Sequence, residues 1–197
     1  MSLKTTSLEL YLIRHGATEW SQTGRHTGTT DLPLTELGKT ESLQLKEQLK
    51  KEKFSKVFCS PLKRALETCH LCELNPTIIP DLREWNYGEY EGLTTEQILE
   101  KNPEWSLFDH GAPGGESPEQ VAKRAHHFLH QVHSLEGKVG IFSSAHFLRV
   151  FATQWIGVSP TWGKAFYLNS ASISVLGYEH INRVIIRWND IAHLSIS

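Results

Sequence analysis

Short apolar runs alternate with helix-like segments along this chain, and this alternation constrains the fold more than any other feature. The runs with strand character lie at 8–13, 56–60, 77–79, 139–143, 172–178 and 183–188. Helical periodicity and capping residues predict helices over about 36–52, 60–74, 94–102, 117–134 and 148–157. Alternation of this kind is typical of a mainly parallel sheet covered on both faces. We expect a three-layer α/β fold with a mixed, mostly parallel sheet whose last two strands pair at an edge.

Length and composition limit the domain organisation and the class of partner. The 197 residues are long enough for one well-cored domain and short for two, so we expect one domain over 1–197. A net charge of −2 gives no electrostatic reason to bind nucleic acid or a membrane surface. No apolar stretch approaches the roughly 20 residues of a membrane-spanning helix. Three cysteines favour a reducing compartment, so we expect a cytoplasmic protein; a homo-oligomer is compatible with the sequence.

Three predicted strands end in polar segments that we expect to meet. Arg14, His15 and Gly16 follow the first strand; the segments 60–64 and 143–149 follow two others. Ligands of parallel sheets bind beyond the carboxyl ends of the strands. The sequence therefore predicts a functional site at this rim.

The residue types at this rim favour phosphoryl chemistry. The planar guanidinium groups of Arg14 and Arg64 match phosphate oxygens, with Arg64 expected near the start of a helix that begins at Ser60 and Pro61. His15, next to a glycine, can act as a nucleophile toward phosphorus. Glu84, among aromatic residues, is a candidate general acid whose proton affinity partial burial would raise. No cluster has convincing metal-ligand spacing, so we expect a metal-free phosphohistidine mechanism without a cofactor.

The segments LIRHGATEW, GRHTGTTDLPLTELG, SPLKRALET and LREWNYGEYEG occur in an order that resembles the histidine phosphatase superfamily, which has the phosphoglycerate mutase-like fold. The resemblance covers about 8–177 and is nearest to the sugar-bisphosphatase branch that acts on sedoheptulose 1,7-bisphosphate. It implies that His15 is phosphorylated, that Arg14 and Arg64 bind the phosphoryl group, and that Glu84 protonates the leaving group. The positions that it implies for the substrate pocket are Thr27, Gly28, Tyr87 and Arg149.

The chain departs from the family at its second catalytic histidine. The family motif has the form H-G-x-x-x-R, and counting back from Arg149 places Ser144 at the histidine and Ala145 at the glycine. His146 then matches a further histidine of the sugar-bisphosphatase branch. Loss of one such donor costs about 10²–10³ in rate. We expect Ser144 and His146 to contact substrate and, if 144–146 is extended, His146 to point to the same side as Ser144 and partly replace the missing histidine.

The sequence leaves three functions open. The expected one is a metal-independent phosphatase of reduced activity that acts on a small phosphorylated metabolite, with a sugar bisphosphate as one candidate. The alternatives are a phosphoglycerate mutase and a phosphate-ester-binding protein with impaired catalysis. Two further groups, Cys69 with Cys72 and the histidines at 126, 127, 130 and 133, have partial metal-site spacing, but we interpret them as helix thiols and a solvated helix face.

Overall fold

The computed structural model describes residues 8–194, and its centre is a six-stranded sheet of order β3-β2-β4-β1-β5-β6. The strands are β1 (Glu9–Arg14), β2 (Phe54–Cys59), β3 (Thr77–Ile78), β4 (Lys138–Ser143), β5 (Ile173–Glu179) and β6 (Asn182–Asp190). The first four run parallel, whereas β5 pairs antiparallel with β1 and with β6. The predicted mixed, mostly parallel sheet with a hairpin at one edge is confirmed.

Seven α-helices connect the strands of the described residues. They are α1 (Glu19–Gln22), α2 (Glu36–Leu49), α3 (Lys63–Leu71), α4 (Thr95–Leu99), α5 (Leu107–His110), α6 (Pro118–Val132) and α7 (Ala145–Ile156). Single 3₁₀ segments occupy Pro80–Leu82, Gly88–Tyr90 and Pro160–Ala165. The capping box predicted at Ser117 is present, because its side chain accepts a hydrogen bond from the backbone of Gln120 at the start of α6. None of the helices in residues 8–194 has the length and apolar character needed to cross a membrane.

The helices cover both faces of the sheet, and the pleat of β1 shows how. Leu10 and Leu12 pack into a core cluster with residues of α6 and α7, whereas Tyr11 and Ile13 pack into a second cluster with residues of α2 and α3. Alternate side chains of one strand thus bury two separate helical layers. The three-layer arrangement expected from the sequence is confirmed.

Two predicted helix starts are wrong. The helix expected to begin at Ser60 and Pro61 begins at Lys63, because the Ser60 N–H still donates to Phe142 O (2.9 Å) and continues the pairing of β2 with β4. The Lys63 N–H is then capped by the Asp31 carboxylate (2.7 Å). The helix expected from 148 begins at Ala145, directly after Ser144.

Candidate active site

A cavity of about 340 Å³ opens at the carboxyl ends of β1 and β4, where the sequence predicts the site. The parallel register pairs Arg14 with Ser143, and the His15 N–H donates to Ser143 O (3.0 Å), so the polar segments after both strands meet at this edge. The predicted site residues that line the cavity are Arg14, His15, Thr27, Glu84, Tyr87, His146 and Arg149. Gly28 and Ser144 are not among its lining residues, and neither is Arg64, which is fully buried.

His15 is held in one tautomer and one orientation. Its Nδ1 lies 2.7 Å from the Gly16 carbonyl oxygen, and since a carbonyl only accepts, Nδ1 carries the hydrogen and Nε2 keeps its lone pair. Burial, followed by the positive charges of Arg64 and Arg14, holds the pKa of His15 well below its usual range. The ring is therefore neutral near pH 7, with a nucleophilic nitrogen at the cavity.

The glycine after His15 is required by packing. A Cβ on Gly16 would lie 2.4 Å from the Gly38 carbonyl oxygen in the first turn of α2. The Gly16 N–H also donates to the Thr68 hydroxyl (3.0 Å) on α3. The chain after β1 is thus pressed against two helices, which fixes the backbone that holds the His15 ring.

Arg14 and Arg64 are buried cations whose side chains are anchored to backbone carbonyls. Arg14 donates from Nη1 to Leu168 O (2.5 Å), and Arg64 donates to the carbonyl oxygens of Thr30, Thr27 and Gly28 at 2.9–3.1 Å. The Nε atoms of both guanidinium groups are buried and have no partner in residues 8–194. Each guanidinium group thus keeps one buried N–H donor without an acceptor, which is the kind of group that can bind a phosphoryl oxygen.

Glu84 connects the loop after β3 to the first turn of α7. Its Oε1 accepts hydrogen bonds from the backbone N–H groups of Trp85 and Phe147, both at 2.8 Å, and its Oε2 accepts one from His146 N–H (3.0 Å). Arg124 donates to the Glu84 carbonyl oxygen (3.1 Å) and so supports the backbone of this loop. The carboxyl group is therefore held at the cavity wall by three backbone donors.

Ser144 is in the N-cap position of α7 but does not cap the helix. Its backbone is extended, its side chain makes no cap hydrogen bond, and its buried Oγ has no partner in residues 8–194. The Glu84 carboxylate occupies the place that an N-cap side chain would take. Because Ala145 already begins the helix, residues 144–146 are not an extended run, and the condition under which His146 would point to the same side as Ser144 is not met.

His146 and Tyr87 form a hydrogen-bonded pair at the cavity wall. The Tyr87 hydroxyl lies 2.5 Å from Nδ1 of His146. Burial, followed by the charge of Arg149, holds the pKa of His146 well below its usual range. Burial also raises the pKa of Tyr87 well above its usual range, so both groups are neutral near pH 7.

Arg149 and Gly28 are placed by packing against the surrounding loops. Arg149 donates from Nε to Gly163 O (2.8 Å), and its guanidinium carbon lies 4.4 Å from the centre of the Phe108 ring. Burial lowers the pKa of Arg149 to about 10, which leaves it charged at neutral pH. At Gly28 a Cβ would lie 2.3 Å from the carbonyl oxygen of Trp85, so only glycine fits.

Sequence reasoning missed several wall residues, among them Thr18, Arg25, Thr95 and Tyr167. Arg25 stands next to His26 within a quoted family motif and forms an isolated backbone bridge with Thr94, which brings two loops together over the cavity. Its position in that motif was an available signal. Tyr167 lies in a segment without strand or helix pattern, so nothing local in the sequence indicated its place.

The two groups with partial metal-site spacing lie outside the cavity. Cys69 in α3 and Cys72 at its end are buried free thiols that pack in the core cluster shared with α2 and the sheet, and His126 and His130 contact each other on the exposed face of α6 (3.0 Å between their Nε2 atoms). Residues 8–194 contain no group of three or more metal-ligating side chains arranged to hold an ion.

Comparisons with known proteins show which family and fold this chain resembles. A family model described as the histidine phosphatase superfamily (branch 1) matches residues 10–191. An acid phosphatase of Mycobacterium tuberculosis is 40% identical over 176 residues, which are 87% of each chain. The sedoheptulose 1,7-bisphosphatase of Saccharomyces cerevisiae is 33% identical over 75% of this chain and 67% of its own. The solved structure of a Mycobacterium tuberculosis open reading frame product superposes with a TM-score of 0.89 at 37% identity, covering 92% of this chain and 96% of that one.

Proposed function

Since the chain belongs to the histidine phosphatase superfamily and is a phosphatase, we propose that it hydrolyses small phosphate monoesters through a phosphohistidine on His15, without a metal or another cofactor. The observation that carries this proposal is the state of His15. Its Nδ1 donates to the Gly16 carbonyl oxygen, its pKa is lowered, and its unprotonated Nε2 belongs to a ring at the cavity wall. A neutral, oriented imidazole between two buried arginines is suited to attack phosphorus.

In the first step, the Nε2 lone pair of His15 attacks phosphorus, a P–N bond forms and the P–O bond of the ester breaks. The unpaired Nε groups of Arg14 and Arg64 bind phosphoryl oxygens while charge shifts onto the leaving oxygen. Glu84 gives that oxygen a proton, for which its Oε2 is the better placed atom because it accepts one backbone hydrogen bond and Oε1 accepts two.

In the second step, a water molecule attacks the phosphohistidine. Glu84, now a carboxylate, accepts a proton from this water as its oxygen bonds to phosphorus. The P–N bond breaks, inorganic phosphate leaves, and His15 regains its neutral state with the hydrogen on Nδ1. The same residue thus serves as acid and then as base, and protons balance over the cycle.

We propose that Ser144 lowers the rate of this reaction. Its Oγ is buried, does not line the cavity and has no partner in residues 8–194, so the phosphoryl group loses the donor that a histidine at this position would supply. The missing donor corresponds to about 10²–10³ in rate. His15, Arg14, Arg64 and Glu84 all remain, which supports binding of phosphate esters together with slower turnover.

The cavity also supports a small phosphorylated metabolite as substrate. About 340 Å³ accommodates a few carbon atoms with their phosphate groups, and Arg25 and Arg149 are cations of the wall beyond the two that bind the transferred group. A sugar bisphosphate is one candidate, because a second phosphate would meet these cations. The three free thiols fit a cytoplasmic location.

Phosphate release from a panel of metabolites, including sedoheptulose 1,7-bisphosphate, tests the proposal. We expect measurable turnover by the unmodified protein, none by His15→Ala, and a rise of up to about 10²–10³-fold in Ser144→His. Acid-labile, base-stable incorporation of phosphate from labelled substrate would identify the phosphohistidine. Tight phosphate-ester binding without turnover in both the unmodified protein and Ser144→His would instead favour a binding protein, and exchange of 2- and 3-phosphoglycerate would favour a mutase.

A further inference from the structure

The contact between Tyr87 and His146 leaves one ring nitrogen for the cavity. Nδ1 of His146 lies 2.5 Å from the Tyr87 hydroxyl, and this is the one hydrogen bond of the His146 ring within residues 8–194. The His146 ring lines the cavity and is held from other sides by Phe108 and His26, whose ring centres lie 5.5 and 5.9 Å away. A substrate in the cavity can therefore form a hydrogen bond with the His146 ring only at Nε2.

The direction of the hydrogen bond follows from the burial of Tyr87. Its side chain is 1% exposed, and His146 is the one hydrogen-bond partner of its hydroxyl in residues 8–194. If Nδ1 carried the hydrogen, the phenol O–H would be buried without an acceptor, which costs about 1–3 kcal/mol. The phenol therefore donates to Nδ1, and the hydrogen of the neutral imidazole is on Nε2.

Three cationic side chains line the cavity. Arg14, Arg25 and Arg149 are donors without acceptor capacity. Glu84 is the one acidic side chain that lines the cavity within the described residues, and in the proposed reaction it is protonated when the substrate binds, because it then gives the leaving oxygen its proton. An ammonium group of a substrate would thus find no anionic side chain here and would meet like charges.

We propose that Tyr87 is a positioning residue that keeps His146 as an Nε2–H donor, so that this pair selects phosphate esters whose neighbouring group is an oxygen acceptor and rejects those that carry an ammonium there. The inference rests on the proposed function, because it concerns the substrate of the same cavity. A hydroxyl, carboxylate or phosphate oxygen accepts from Nε2–H, whereas an ammonium has three hydrogens and no lone pair. A ring free to move its hydrogen to Nδ1 would accept from an ammonium instead, and the Tyr87 contact opposes that tautomer.

Two ligands of nearly the same shape distinguish selection for an oxygen acceptor from acceptance of an ammonium. 3-Phosphoglycerate has a hydroxyl at the carbon where O-phosphoserine has an ammonium. Their affinities are measured by calorimetry in the His15→Ala background, so that the result does not depend on turnover. We expect 3-phosphoglycerate to bind at least about tenfold more tightly. In His15→Ala with Tyr87→Phe, the ratio of the two affinities should fall about tenfold, because the donor is lost for the hydroxyl and an acceptor is gained for the ammonium.

The change in the ratio of the two affinities shows whether Tyr87 positions His146 or has only a structural role. A role of Tyr87 in packing alone would weaken both ligands equally, leave the ratio unchanged and overturn the proposal. Tyr90→Phe is the matched control, since it removes a hydroxyl three residues away that accepts from Asn102 and does not contact His146. We expect this variant to keep the ratio.

The tautomer itself is read from ring ¹⁵N shifts in histidine-labelled protein, with the His146 signals assigned by their loss in His146→Gln. We expect hydrogen on Nε2 in the unmodified protein and a mixture of both tautomers in Tyr87→Phe. A hydrogen on Nδ1 in the unmodified protein would overturn the proposal. Failure of every phosphate ester to bind would contradict the proposed function, and the spectrum would still decide the tautomer.

Discussion

The end of β1 and the first turn of α7 each bring a histidine to the same cavity, and the partner of Nδ1 differs between them. At His15 the partner is the Gly16 carbonyl, which accepts, so Nε2 keeps a lone pair. At His146 the partner is the Tyr87 hydroxyl, which on our proposal donates, so Nε2 carries a hydrogen. Two neutral imidazoles thus acquire opposite chemistry from one neighbouring oxygen each. On the proposals made above, the atom hydrogen-bonded to Nδ1 decides which histidine attacks phosphorus and which binds the substrate.

The two histidines also differ in what holds their backbone. Sheet and loop contacts fix His15, whose N–H donates to Ser143 O and whose carbonyl accepts from Ala171 N–H (3.1 Å). The first turn of α7 depends on one side chain, because Glu84 accepts from the N–H groups of both His146 and Phe147. Removing Glu84 should therefore disturb the α7 side of the cavity and leave the β1 side in place.

The largest effect is expected from substitutions of Glu84. Glu84→Ala leaves three backbone N–H groups without their acceptor, which should lower the free energy of unfolding by about 3 kcal/mol. Glu84→Gln keeps an amide oxygen for the two donors at Oε1 and should lower it by about 1 kcal/mol. Both variants lose the acid and should lose about 10²–10⁴ in the rate of phosphate release. Urea unfolding and initial rates, measured side by side, separate the two roles.

Glu89→Gln is the control for both substitutions of Glu84, because Glu89 is an exposed carboxylate in the same loop. We expect its unfolding free energy and rate to stay near those of the unmodified protein. Full activity in Glu84→Gln would show that Glu84 holds α7 and that the leaving group takes its proton elsewhere.

The pH dependence should be the next largest effect and should involve both histidines. The pKa of each is lowered, chiefly by burial, whereas in the unfolded chain it is about 6.5. Below that pH the unfolded state binds more protons than the folded state, so the free energy of unfolding should be constant above about pH 6.5 and fall on acidification. The Cε1–H signals of His15 and His146 should both titrate at lower pH than free histidine.

His146→Gln removes one of these two groups and should make the fall in stability between pH 7 and pH 5 shallower. Urea unfolding at both pH values measures this slope. Signals of His15 that titrate near pH 6.5 would mean that the ring is partly protonated at neutral pH and would remove the observation on which the proposed nucleophile rests.

The sequence predicted the fold and the rim because both depend on local patterns. The run LELYLI alternates between two apolar faces, and the structure buries Leu10 with one helical layer and Tyr11 with the other. The sequence also predicted that His15 lies close to the segment after β4, because the carboxyl ends of parallel strands meet at one edge of the sheet.

The contacts at the first turn of α7 could not be predicted in the same way, because they join distant parts of the chain. Glu84 is 60 or more residues from the turn that it caps, and Tyr87 is 59 residues from His146. The local pattern predicts the helix only from 148, because nothing near Ser144 shows that a remote carboxylate caps a helix that begins at Ala145. The tautomer of His146 depends on such a distant partner, so it could not be predicted from the sequence either.

The smallest effect is expected at Ser144, and its neighbour supplies the comparison. The buried Oγ of Ser144 has no partner in residues 8–194, whereas the buried Oγ of Ser143 donates to Leu82 O (2.5 Å). Ser144→Ala removes an unpaired polar atom and should change the free energy of unfolding by less than about 0.5 kcal/mol, or raise it. Ser143→Ala leaves a buried carbonyl unpaired and should lower it by about 1–2 kcal/mol. A loss in Ser144→Ala as large as in Ser143→Ala, measured by urea unfolding, would show that Ser144 has a partner, such as a bound water, and that the α7 side of the cavity retains a donor at this position.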